Sequence, residues 1–258
     1  MKKKTTKYLA TVIFLIFSVA FIAKFSGPQI LRYYVQTGIG DCGKIPILCM
    51  FPSETANTQE INTSYTSELV PYKAFKISAF LPRGFDVVQE LVMKTSYKKH
   101  KRMFKGNIIY MICQDKDFFP RLYPQLKKQG VNDNYEFIRR TMNAKENEIS
   151  NITDTFFVIM KGVFIPDLGD QNTSKMIQVN IPGFKGFINY NFDKTGNYFD
   201  CNLINTDGLF FKVYIKDRNK ILDLDKVFAI LSTVRYLDNG IISTQLQPAK
   251  LTSVNPAG

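Results

Sequence analysis

The chain contains a single histidine, His100, among its 258 residues. A Ser-His-Asp triad, a two-histidine metal site or a Cys-His dyad would all depend on that residue. His100 lies between Lys99 and Lys101, and no carboxylate lies nearby in sequence to orient its ring. We therefore interpret it as a solvated loop residue rather than a catalytic one.

Internal repeats, Gly/Ser-rich stretches and acidic tracts are also missing, which argues against a solenoid or a string of small modules. The composition is 45% hydrophobic and 22% charged, which is typical of an ordered globular chain. Tryptophan is absent, but that absence excludes nothing. The length predicts one folded domain and an anchor.

The N-terminal leader has no acidic residue, and four lysines precede its uncharged run Leu9–Ala23 (LATVIFLIFSVAFIA). This order is typical of a secretion signal or a signal anchor. We predict an uncleaved transmembrane anchor over residues 1–27, because Lys7 and Lys24 can snorkel toward opposite headgroup layers. Cleavage after Ala20 is the alternative. The positive-inside rule predicts a single-pass protein with a cytoplasmic N-terminus and a C-terminal domain in the periplasm or at the cell exterior.

Positive charge exceeds negative charge by 12, and five of the lysines lie in the leader, which leaves an excess of 7. This excess favours contact with anionic surfaces, whereas the export signal argues against a nucleic-acid partner. The strongest basic cluster has no acid near it. This cluster is interpreted either as a solvated hairpin tip or as a contact surface for anionic lipid or an acidic polymer. The candidate contact residues are Lys94, Lys98, Lys99, Lys101, Arg102 and Lys105.

All four cysteines follow the predicted anchor, as expected where oxidation is permitted. Cys42 and Cys49 flank a short loop (CGKIPILC) and form the predicted disulfide. Cys113 and Cys201 lie in apolar strand-like runs and either pair or stay reduced. A four-cysteine zinc site is a weaker interpretation, because the sequence has no C-x-x-C pair and the spacings are irregular.

Beyond the anchor, we predict a juxtamembrane segment over 28–70, an α+β domain over 71–238 and a loose tail over 239–258. Within the first of these, residues 52–70 are rich in polar side chains and predict a linker. The domain is predicted to contain an antiparallel β-sheet with helices packed on it. Its predicted strands are Ala74–Leu81, Phe85–Met93, Gly106–Cys113, Phe156–Ile165, Lys175–Ile181, Phe184–Phe192, Tyr198–Ile204 and Leu209–Lys216.

Two helices are predicted from capping and spacing. Asp133 and Glu136 form a capping box before apolar residues at helical spacing, and Leu224–Leu231 carries the apolar stripe of a C-terminal helix. In the last three predicted strands Phe187, Phe210 and Tyr214 point away from the main apolar set. Both faces of the sheet are therefore predicted to be covered.

Two short motifs suggest a family. The LPRGF turn (Leu81–Phe85) between two early strands, and the closing helix VFAILSTVRYL (Val227–Leu237) after a meander, resemble the PsbP-like α/β sandwich. That resemblance covers about residues 72–238 as an order of elements. It implies a non-catalytic binding or assembly module and supplies no site residues.

No catalytic, cofactor-binding or metal-binding residues are predicted. The carboxylate pairs each have a simpler interpretation as a strand end, a polar loop or the start of a helix. We therefore predict a membrane-anchored binding or assembly module whose partner is the membrane and either another envelope protein or anionic lipid. A carboxylate-based hydrolase and a carrier of an apolar ligand are the alternatives. The pairs are Asp115 with Asp117, Asp167 with Asp170, and Asp223 with Asp225.

Overall fold

The computed structural model describes residues 24, 26–57, 63–74, 77–90, 106–165 and 173–237. The predicted membrane run Leu9–Ala23, the basic cluster of residues 94–105 and the predicted tail lie outside these ranges. Within the ranges, no helix is both long and apolar enough to cross a membrane. The described chain has the predicted α+β architecture, with a large mixed sheet and helices on it.

The described residues form strands and helices in the following order. The strands are β1 (Thr55–Asn57), β2 (Val70–Ala74), β3 (Ile77–Leu81), β4 (Phe85–Glu90), β5 (Asn107–Gln114), β6 (Lys175–Ile181), β7 (Phe184–Asp193), β8 (Gly196–Asn205), β9 (Phe210–Asp217) and β10 (Arg235–Tyr236). The helices are α1 (26–38), α2 (Thr63–Thr66), α3 (Phe118–Leu122), α4 (Asn134–Asn143), α5 (Ile152–Phe164) and α6 (Leu224–Ser232).

Seven strands form the main sheet in the order β1-β6-β7-β8-β9-β5-β4. The run β7 to β9 is the predicted antiparallel meander, and β6 extends it by one more antiparallel strand. The last turn of the meander contains Gly208 at a φ of 83°, which favours glycine. The β1–β6 and β4–β5 pairs are parallel. The prediction of an antiparallel sheet is therefore correct for the centre and wrong at both edges.

A second sheet has the order β10-β3-β2. The predicted strand Ala74–Leu81 is divided here between two strands, because Ala74 of β2 lies opposite Ile77 of β3 in an antiparallel pair. The LPRGF turn joins β3 of this small sheet to β4 of the main sheet. The predicted closing helix ends at Ser232, and β10 follows it and pairs with β3.

The main sheet is covered on both faces, as the positions of Phe187 and Phe210 predict. One face packs on the small sheet and α6, where it forms the largest hydrophobic cluster of the described residues. The other face packs on α3, α4 and α5, where Phe119, Phe137 and Phe164 join those two strand residues. Stacked and edge-to-face contacts among these rings stabilise the core beyond the burial of their area. The rings of Phe119 and Phe137, for example, are stacked with their centres 4.2 Å apart.

The prediction of a strand over Phe156–Ile165 is wrong, because these residues belong to α5. The run FFVIMKGVFI is apolar and β-branched without a polar face, so it resembles a buried strand in sequence. A helix with apolar residues all round is expected when several sides are covered. The start signal is Asn151, whose side chain accepts hydrogen bonds from the backbone N–H groups of Thr153 and Asp154.

The two predicted helices are confirmed, and each begins with a capping aspartate. Asp133 accepts a hydrogen bond from the Glu136 backbone N–H at 2.7 Å at the start of α4. Asp223 accepts one from the Lys226 backbone N–H at 2.9 Å at the start of α6. Each cap satisfies a backbone donor that has no partner inside its helix.

Described residues shortly before residue 71 take part in the fold. In β1, Ala56 pairs in register with Val179 of β6. Tyr65 and Leu69 are buried in the core beneath α6. Tyr65 has a pKa raised to about 12, because burial and then the Glu68 charge disfavour the phenolate.

Candidate functional site

The predicted Cys42–Cys49 disulfide is confirmed, with a Cα–Cα distance of 5.6 Å. It closes a loop that ends in a 3-10 turn over Pro46–Leu48, in which Ile47 and Leu48 are buried. Ile47 packs in the aromatic core beside α5, and Leu48 packs with Val35 of α1. The loop is therefore held between the first helix and the helical layer of the domain.

Helix α1 docks on the same layer through one apolar edge. Val35 of α1 packs with Val158 of α5, and Leu31 and Ile39 lie beside them. A Cβ added to Gly162 would approach the Ile39 side chain at 3.0 Å, so α1 and α5 come close together at this point. The segment that follows the predicted anchor is thus a packed part of the domain.

Glu146 lies against the disulfide, although 104 residues separate it from Cys42. Its Oε1 accepts a hydrogen bond from the Gln36 side-chain amide at 2.7 Å. Its Oε2 accepts one from the Cys42 backbone N–H at 3.2 Å, and lies 2.8 Å from Cys42 Sγ and 4.0 Å from Cys49 Sγ. The glutamate is only 4% exposed, and no ion pair to it occurs in the described residues.

Lys161 of α5 is fully buried close to this loop. Its Nζ donates hydrogen bonds to the backbone carbonyl of Met50 and, at 2.7 Å, to that of Ala144. Burial, with a smaller contribution from Lys145, lowers the pKa of Lys161 to about 7. Through these two hydrogen bonds, Lys161 links Met50, which follows the disulfide loop, to Ala144, which lies two residues before Glu146.

A second buried polar cluster lies on the helical face of the sheet. Lys212 of β9 forms an ion pair with Asp200 of β8 at 2.7 Å and donates to the Phe164 carbonyl at 2.6 Å. Asn202 donates to the other Asp200 oxygen at 2.9 Å. A cation at the last carbonyls of α5 is favoured by the helix dipole. We interpret this cluster as a link between helix and sheet, because Asp200 and Asn202 are fully buried.

The remaining cysteines stay reduced, which was one of the two alternatives. Cys113 is half-buried, and Cys201 is fully buried on the small-sheet side of the main sheet. Burial first, and then the neighbouring Asp200 charge, raises the pKa of the Cys201 thiol well above its ordinary value. Cys201 is therefore a packing residue rather than a nucleophile.

The described carboxylate pairs serve local structure. Asp115 forms an exposed ion pair with Arg121 at 3.2 Å, and Asp117 precedes α3 in a left-handed conformation. Asp223 caps α6, and Asp225 lies in its first turn. The third pair, residues 167 and 170, lies outside the described ranges.

The basic residues of 94–105 also lie outside the described ranges, so their contact role stays a prediction. The described strands on either side of this segment in the chain, β4 and β5, pair parallel, with Phe85 opposite Asn107.

Apolar side chains on two helices remain exposed. On α5, Ile152 is 75% exposed and Val163 is 58% exposed, with Ile159 between them. The spacing of seven and four residues places all three on one side of the helix. On α1, Tyr33 and Tyr34 are exposed beside the edge that packs on α5.

One surface groove, with a volume of about 370 Å³, opens at the start of α4. Asp133, Lys185 and Phe184 lie in its wall, and the Lys185 Nζ sits 4.1 Å from the centre of the Tyr135 ring. Its lining combines the charged Asp133 and Lys185 with apolar side chains such as Ile181 and Ile204.

Sequence reasoning found the disulfide but missed Glu146, Lys161 and the Asp200–Lys212 pair. Glu146 and Lys161 carry no local pattern, because their partners come from distant parts of the chain. The Asp200 pair had a signal, since Asp200 and Asn202 alternate with apolar residues in YFDCNLI. Comparison of the chain with protein-family models, with curated proteins and with solved structures finds no significant match.

Proposed function

We propose that the chain is a membrane-anchored protein whose extracytoplasmic α+β domain is a non-enzymatic binding or assembly module. The observation that carries this proposal is the pair of exposed apolar surfaces on α1 and α5. Apolar side chains that share one side of a helix and stay exposed are typical of a contact site when they form a patch. The resemblance to the PsbP-like group supports the same class of function.

Three features support the attachment of this surface to a membrane. The leader has the charge order of a signal anchor. The described part of helix α1 follows within a few residues of the predicted membrane run and is docked on the domain by Val35. Tyr33 and Tyr34 then lie close to the predicted interface, where tyrosine is enriched. The partner in this proposal is the membrane together with another envelope protein or anionic lipid.

The hydrolase alternative receives less support from the described acids. Asp200 is fully buried and paired with Lys212, and Asp223 is used as a helix cap. A carboxylate that acts on a substrate has to reach it, and neither of these side chains is arranged to do so.

The test places a photo-crosslinking amino acid at Ile159 or Val163 of the full-length protein in its own membranes. We expect crosslinks to a protein or a lipid at these two positions. The matched control is Ile221, which is 44% exposed but lies in the loop before α6. Equal crosslinking at Ile221, or none at α5, would refute the binding surface.

The anchor has its own test. Membranes are washed with alkaline carbonate, and the mass of the retained protein is measured. A mass that begins at or near Met1 in the membrane fraction supports the anchor, whereas a mass that begins at Phe21 in the wash contradicts it.

A further inference from the structure

We propose that Cys42, Cys49 and Glu146 form a Zn²⁺ site when the disulfide is reduced. Their ligand atoms lie within 4.8 Å of one another and come from distant parts of the chain. A tetrahedral zinc ion with bonds of about 2.0–2.3 Å holds its ligand atoms roughly 3.3–3.8 Å apart. Opening the S–S bond lets the two sulfurs separate to that spacing.

The charge of the site favours a cation. Glu146 is buried against the two sulfurs, and no lysine or arginine is paired with it in the described residues. A buried carboxylate without a cationic partner is costly. Two thiolates would add negative charge at the same place, and a divalent ion would compensate all three groups.

The surroundings already orient the carboxylate. Gln36 holds Oε1 at 2.7 Å and leaves Oε2 directed at both sulfurs. Fixing a ligand by a hydrogen bond to its other polar atom is typical of metal sites. Cys42 and Cys49 are half-buried rather than sealed, so an ion and one water molecule can reach them.

The chemistry has two steps. A dithiol reductant gives two electrons and two protons to the disulfide, and itself becomes a disulfide. Zn²⁺ then displaces the two thiol protons and binds the thiolates, Oε2 and a water molecule. The oxidised protein cannot bind the ion in this way, so the site responds to the redox state of its compartment.

The test titrates the full-length protein, reduced by a phosphine under argon, with Co²⁺ as a spectroscopic substitute for Zn²⁺. We expect a thiolate-to-cobalt charge-transfer band that Zn²⁺ abolishes. The band should persist in the matched control Cys113→Ser and vanish in the Cys42→Ser/Cys49→Ser variant. Gln36→Leu should weaken binding about 10- to 100-fold, and Glu146→Gln at least as much.

A second measurement addresses the case in which reduction of the disulfide itself unfolds the protein. Zn²⁺ should raise the Tm of the reduced wild type, because it binds the folded state, and leave that of the double variant unchanged. The proposal is overturned if reduced wild type shows no charge-transfer band, or if Glu146→Gln binds as tightly as wild type. It is also overturned if reduction unfolds the protein and neither ion restores the native circular dichroism.

Discussion

Replacing the buried Lys161 by methionine should remove a pH dependence of stability. Lys161 has its pKa lowered from 10.5 to about 7 by burial. Its two acceptors, the carbonyls of Met50 and Ala144, match the two N–H donors of a neutral amine. Above about pH 8, the folded protein thus holds a lysine that has largely lost its proton.

The sign and size of this pH dependence follow from the pKa of Lys161 in the unfolded chain, 10.5, and in the folded chain, about 7. Between pH 7 and 10.5 the unfolded chain binds a proton at Lys161 that the folded chain does not, so the free energy of unfolding rises with pH. At 1.36 kcal/mol per pKa unit, this contribution grows by about 3 kcal/mol from pH 7 to pH 9.5. Below about pH 7 both states are protonated, and the cost of burying the charge is constant.

The assay is urea unfolding of the wild type and Lys161→Met at several pH values between 6.5 and 9.5. The difference in their free energies of unfolding should shift by about 3 kcal/mol in favour of the wild type as pH rises. Lys127→Met, at an exposed lysine, is the control and should leave the pH profile of the wild type unchanged. A difference that stays flat for Lys161→Met would refute the idea that this lysine is neutral in the fold.

Three further substitutions are expected to lower the free energy of unfolding by stated amounts. Asp200→Asn leaves the buried Lys212 without its counter-ion and should lower the free energy of unfolding by about 3–5 kcal/mol in urea titration. The Cys42→Ser/Cys49→Ser variant, measured without metal, should lose about 2.5 kcal/mol, because the disulfide closes a short loop with a sequence separation of 7. Asp133→Ala removes the cap of α4 and should cost about 1 kcal/mol, measured by thermal unfolding.

Each of these predictions has a control. Asp225→Asn changes a carboxylate in the first turn of α6 and should cost less than about 0.5 kcal/mol, unlike Asp200→Asn. Cys113→Ser changes a cysteine outside the Cys42–Cys49 bond and should cost less than the double variant. For the cap, Asp133→Asn should retain most of the stability, since asparagine also caps well. A loss at Asp133→Asn equal to that at Asp133→Ala would mean that the cap is not the cause.

Local signals in the sequence predicted the parts of the fold that depend on near neighbours. Lys175–Ile181 is a strand with the predicted bounds, and Asp133 and Asp223 start helices where they were expected. The Cys42–Cys49 bond joins residues seven apart. In each case the deciding interaction lies within one element or one turn.

The remaining features depend on contacts between distant parts of the chain. Helix α5 resembles a strand in sequence because the layer around it covers several of its sides. The parallel pairing of β1 with β6 joins residues more than 100 positions apart, and its short polar strand carries no apolar pattern. Glu146 and Lys161 receive their partners from the disulfide loop only in the folded state.

The pairing of β10 with β3 also has a consequence for how the chain reaches its native state. Tyr236 lies opposite Ile77, and the hydroxyl of Thr233 accepts a hydrogen bond from the Phe80 backbone N–H at 2.9 Å. The small sheet therefore stays one strand short until the ribosome has added residue 236. Contacts of such long sequence separation slow folding, so we expect completion of the small sheet to be a late step in folding.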